Sequence, residues 1–110
     1  MVKKFRVLIN GANFIFGQKN KEKDLREGFY TTRWVEANSS KEAEIMVNDL
    51  IWDELKSKVF NDPSDPPIMH VEEIEGLEDF GDHPVPGGGF TFYFEDDDQT
   101  NEYFSELEKE

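Results

Sequence analysis

The chain has no cysteine among its 110 residues. That excludes a disulfide framework, a thiolate nucleophile and a Cys-ligated zinc. Histidine is nearly absent too: His70 and His83 are the only imidazoles. No apolar run is long enough for a signal peptide or a membrane span, and the start, Met1-Val2-Lys3-Lys4-Phe5, already carries charge. The expectation is a cytoplasmic protein of bacterial type. Basic residues run out along the chain. Residues 61–110 hold sixteen Asp/Glu against Lys109 alone, whereas residues 1–35 hold eight Lys/Arg against three acids.

The formal net charge is −13. Phosphate contact needs clustered Lys/Arg, so the balance argues against nucleic acid as a ligand. A chain polarised this way attracts a basic partner or pairs its own basic end with its acidic end. Hydrophobic residues make up only 36 %, but ten Phe, three Tyr and two Trp offset this. Each aromatic side chain buries about 150–250 Å². At this length one domain spanning residues 1–110 has a core of its own, with an acidic tail from about residue 96.

Lys3 to Ile9 alternates, with Phe5, Val7 and Ile9 on one face, and reads as a half-buried strand. Asn10-Gly11-Ala12-Asn13 then marks a bulge or a short turn before Phe14-Ile15-Phe16. Gly17 to Glu27 reads as a polar loop. Gly28 to Ala37 is a second strand, dense in β-formers, with Phe29, Val35 and Ala37 on one face. Tyr30 and Trp34 lie on the other face and need a cover of their own.

Ser39-Ser40-Lys41-Glu42 is a capping box that opens a helix. Ala43, Met46, Val47, Leu50 and Ile51 form its core stripe. Glu54 falls near the middle of that stripe, which predicts that the last turns tilt away from the sheet. Ile45, Trp52 and Val59 recur every seven residues on roughly the opposite face. Asn61-Asp62-Pro63 ends the helix. Ile68 to Ile74 reads as a third strand, with Met69 and Val71 on one face and Ile68 and Ile74 on the other. After a loop containing Pro86-Gly87-Gly88-Gly89, Phe90, Phe92 and Phe94 give a fourth strand. Thr100 to Glu110 allows a short terminal helix. The predicted fold class is α+β in β-β-α-β-β order: an antiparallel or mixed four-stranded sheet with one main helix on one face.

No motif calls for a metal or a cofactor. His83 lies near Asp79 and Asp82, but without known ligand spacing. In Asp96-Asp97-Asp98-Gln99-Thr100-Asn101, Asn101 replaces the turn glycine of a calcium loop, and Leu107 stands where that loop needs a Glu. The glycine run opens a strand rather than a helix, unlike a phosphate loop. No serine sits in a nucleophile elbow. No catalytic residue is assigned, and an enzyme is the less favoured class.

Gly28-Phe29-Tyr30-Thr31-Thr32-Arg33-Trp34-Val35-Glu36-Ala37, followed by Ser40-Lys41-Glu42-Ala43-Glu44, resembles a strand-to-helix signature of small uncharacterised bacterial α+β proteins. It is also similar to ferredoxin-like and HicB-like domains. The resemblance implies a fold class and brings no catalytic residue. HicB-type antitoxins also carry a DNA-binding element, and none is found in this sequence.

The functional expectation is a non-enzymatic domain acting by protein–protein contact, self-associating as a homodimer through Ile45, Trp52, Val59, Tyr30 and Trp34. The alternative is an acidic inhibitor of a basic enzyme, either an immunity protein or a nucleic-acid mimic. A third class is a small ligand-binding domain or enzyme.

Overall fold

The computed structural model describes residues 2–16 and 26–95. The polar segment 17–25, the Asp96–Asp98 run and the possible terminal helix lie outside the described residues. The chain forms an α+β fold: one four-stranded antiparallel sheet and one main helix. β1 spans Lys3–Phe14, β2 Glu27–Ala37, α1 Ser40–Leu55, β3 Ile68–Leu77 and β4 Thr91–Phe94, with a 3₁₀ turn over Lys56–Lys58 between α1 and β3. The sheet order is β3-β1-β2-β4, and each neighbouring pair is antiparallel.

α1 packs on one face of the sheet. Phe5, Val7, Ile9, Phe14, Phe29, Val35 and Ala37 from the strands meet Ala43, Val47, Ile51 and Leu55 from the helix. Full burial of one such side chain stabilises by about 1.5–3 kcal/mol. Phe29 sits at the centre, tilted against Phe14 and edge-on to Phe90, each with ring centroids 5.1 Å away. Its ring lies directly over Gly11 in the neighbouring strand, in space that a Cβ at Gly11 would occupy.

Two bulges change which residues face the core. Between Gly11 and Phe14, β1 gains one residue relative to β2, and Asn13 takes a left-handed φ of 61°. The extra residue carries Phe14 onto the buried face despite its even place in the alternation. β3 gains Glu72 in the same way, between the partners of Leu8 and Ile9. Ile74 therefore packs with Met69 and Val71 against the core, rather than facing outward with Ile68.

α1 starts as its capping box dictates. The Ser39 hydroxyl accepts from the Glu42 N–H at 3.1 Å, and the Glu42 carboxylate accepts from the Asn38 N–H at 2.7 Å. The end of the helix departs from the sequence reading. α1 stops at Leu55, well before Asn61-Asp62-Pro63, because the chain turns extended at Val59 to bridge Phe16. The Phe60 N–H donates to the Ile15 carbonyl at 2.8 Å. The last turn stays on the sheet: Leu55 is buried, while Met46 is 40 % exposed.

Candidate functional site

Arg33 is the charged group buried deepest among the described residues. It shares the core face of β2 with Phe29, Thr31 and Val35, and no part of it reaches solvent. Burying a cation is tolerated only when its donors are met by an opposite charge and by acceptors. Here Nη1 and Nη2 donate to the two carboxylate oxygens of Glu54 at 2.7 and 3.1 Å, and Nε donates to the Thr31 hydroxyl at 3.1 Å. The guanidinium also lies 5.1 Å from the centroid of the Phe90 ring. The Thr31 hydroxyl donates in turn to the Gly89 carbonyl at 2.6 Å, tying the glycine loop to the pair.

This pair accounts for Glu54 in the core stripe of α1. The helix does not tilt away there; it brings the carboxylate to a buried arginine. Both Glu54 oxygens are committed to Arg33, so the arrangement is a structural clamp rather than a free base. Beside it lies a cleft of about 470 Å³ lined by Phe16, Glu27, Glu54, Leu55, Lys58, Phe90 and Phe92.

A second polar network closes the end of the sheet around Asn13. The Asn13 side-chain Nδ2 donates to Asp65 at 2.9 Å, and the Asn13 backbone carbonyl accepts from the Asn61 side chain at 2.7 Å. Arg26 donates to the Asn13 side chain at 2.8 Å and pairs with Asp65 at 2.9 Å. The Asn13 N–H meets Glu95 at 2.9 Å. Together these contacts join the bulge of β1 to the residue before β2, to the connector before β3 and to the chain after β4.

The five residues expected at an interface fall in different places. Ile45 and Trp52 stand on the outward face of α1, 50 % and 39 % exposed. Val59 is not on the helix at all; it lies half-buried against the core in the bridge to Phe16. Tyr30 and Trp34 are on the far side of the sheet. Tyr30 is 43 % exposed, its ring 5.8 Å from that of Tyr93.

The chain's own loop covers Trp34. His83 stacks on the indole at 4.4 Å and 14°, Gly87 lies against the ring, and the Trp34 backbone N–H, not the indole, donates to the Pro86 carbonyl at 2.9 Å. The second apolar set on β2 is thus met in part by residues 80–87. His70 pairs with Glu72 at 2.9 Å, so the two imidazoles serve different local contacts. Among the described residues, no group of three or more His, Cys, Asp or Glu could hold a metal ion, and no helix is long and apolar enough to cross a membrane.

The sequence reading missed two residues. Arg33 could have been found: it occupies a core-facing place in β2 while Glu54 occupies one in α1, and opposite charges on two facing apolar surfaces signal a pair. Asp49 carries no motif, yet it stands on the outward helix face between Ile45 and Trp52. Compared with protein-family models, with curated proteins and with solved structures, the chain matches none.

Proposed function

We propose that this chain is a non-enzymatic contact domain that presents the outward face of α1 to another protein surface. The observation that carries this reading is the exposure of Ile45 and Trp52 together on that face, opposite the buried stripe Ala43, Val47, Ile51 and Leu55. Met46 adds apolar area at 40 % exposure. A single exposed apolar side chain needs no account, but a large aromatic beside two aliphatic residues on one helix is a surface for association. Tryptophan is also the residue type most enriched among those that dominate binding energy.

The surface facing α1 is a second copy in the homodimer form of this proposal, and a basic protein in the acidic-inhibitor form. Both use the same helix face. Size-exclusion chromatography of the full chain, extracted gently from cells at native abundance, tests the reading. The wild-type chain elutes above its monomer mass of 12.8 kDa, and the double substitution Ile45→Glu, Trp52→Glu returns it to monomer. Elution of the wild-type chain as a monomer in every extract removes the proposal.

A further inference from the structure

Asp49 lies four residues after Ile45 and three before Trp52, so the three side chains share one face of α1. The basic residues at the two ends of that face already have partners. Lys41 pairs with Glu44 at 3.6 Å, and Lys56 pairs with Asp53 at 3.0 Å. No described residue pairs with Asp49. An exposed carboxylate is therefore set between an aliphatic side chain and an indole, with no cation assigned to it.

We infer that Ile45, Asp49 and Trp52 form a receiving site for an arginine side chain of a partner protein, an assignment that rests on the contact reading of α1. The chemistry matches group by group. A guanidinium is planar and always charged, and it offers two parallel N–H donors to one carboxylate. Its faces are weakly hydrated and stack on an indole, where the ring quadrupole attracts the charge. Ile45 supplies apolar contact for the methylene stem. A lysine ammonium offers no such plane, so arginine is the favoured cation.

Charge also argues against a second copy as the occupant. Two α1 helices packed antiparallel with Ile45 against Trp52 place their two-fold axis beside Asn48 and Asp49. The two Asp49 carboxylates then approach each other across the axis, in chains that each carry a net charge of −13. Like charges brought together in this way oppose pairing. A partner that presents arginine converts the same carboxylate into an attraction.

The test uses a synthetic amphipathic helical peptide with leucines along one face and a central arginine, together with analogues bearing lysine or glutamine at that position. The full chain is observed by amide and indole NMR, with the Trp52 indole signal assigned from Trp52→Phe. The arginine peptide shifts the Trp52 indole and Asp49 amide signals. The glutamine analogue binds at least tenfold more weakly, and Asp49→Asn removes most of that difference. Trp52→Phe retains part of the affinity and Trp52→Ala loses it.

Equal binding of the arginine and glutamine peptides, or no effect of Asp49→Asn, overturns the assignment. So does a concentration-dependent shift of the same signals without peptide, which identifies a second copy as the occupant. In either case the contact reading stands if Ile45→Glu, Trp52→Glu still dissolves the native complex. It falls if no extract holds a native complex or if the native complex ignores that substitution.

Discussion

Arg33 on β2 and Glu54 on α1 form a two-armed ion pair in which the arginine is wholly enclosed and the glutamate side chain is 38 % exposed. The asymmetry decides what each substitution does. Replacing Glu54 with Gln or Ala leaves a buried guanidinium without its counter-charge, and losing one partner of a buried pair costs about 3–5 kcal/mol. Partial solvent access at Glu54 screens the pair and places the cost near the lower end of that range. Replacing both residues with apolar ones, Arg33→Met with Glu54→Leu, recovers most of the loss. Urea unfolding of the wild-type chain, Arg33→Met, Glu54→Leu and the double substitution as a double-mutant cycle measures it.

Ser39→Ala removes the hydroxyl that accepts from the Glu42 N–H. The loss expected for an N-cap of this kind is about 1 kcal/mol. Ser40→Ala, one place inside the helix, leaves that hydrogen bond in place and serves as the control. Thermal unfolding of the two variants separates them.

Gly11→Ala places a methyl group where the Phe29 ring lies. Phe29 is fully buried and contacts Phe14, Phe90 and Phe92, so its ring has little room to retreat. Overpacking of this kind costs about 1–3 kcal/mol. Phe29→Leu in the Gly11→Ala background relieves the clash, and the pair is less destabilised than the sum of its single changes. Chemical denaturation of the three variants provides the comparison.

Asp62 lies in the connector after α1, where the Ser64 backbone N–H and then the Ser64 hydroxyl hold its carboxylate below the ordinary range by donating to it at 2.9 and 2.7 Å. A folded-state pKa depressed in this way favours the fold above the unfolded value, and the contribution is lost as pH falls through the folded value. Carboxyl NMR titration therefore finds Asp62 titrating below its ordinary position. Ser64→Ala removes one of the two donors and moves the midpoint part of the way back up.

Much of the fold was legible because its signals are local. The capping box at Ser39 to Glu42, the alternation of Phe5, Val7 and Ile9 and the β-rich run of β2 each name their element without help from the rest of the chain. What the sequence hid depends on contacts between distant segments. Asn10-Gly11-Ala12-Asn13 did mark the first bulge, which turns Phe14 to the core, but Ile74 faces the core because a bulge at Glu72 adds one residue that a period-two count has no means of registering. Val59 leaves the helix because Phe16, far away along the chain, bridges to it. His83 and Gly87 come from a loop whose path over Trp34 is set by tertiary structure. On the candidate site, the exposure of Ile45 and Trp52 followed from helical spacing, whereas Asp49 gained meaning only once the lysines on its face had partners.

The most direct measurement of the central claim is site-specific photocrosslinking in growing cells. A benzophenone side chain replaces Ile45 or Trp52 on the outward face of α1 or, as the control, Glu36 on the opposite face of the sheet. The account predicts one discrete protein adduct, shared by positions 45 and 52, lost when Asp49→Arg is added and absent from position 36. Adducts of equal yield from all three positions, or none from 45 and 52, would contradict it.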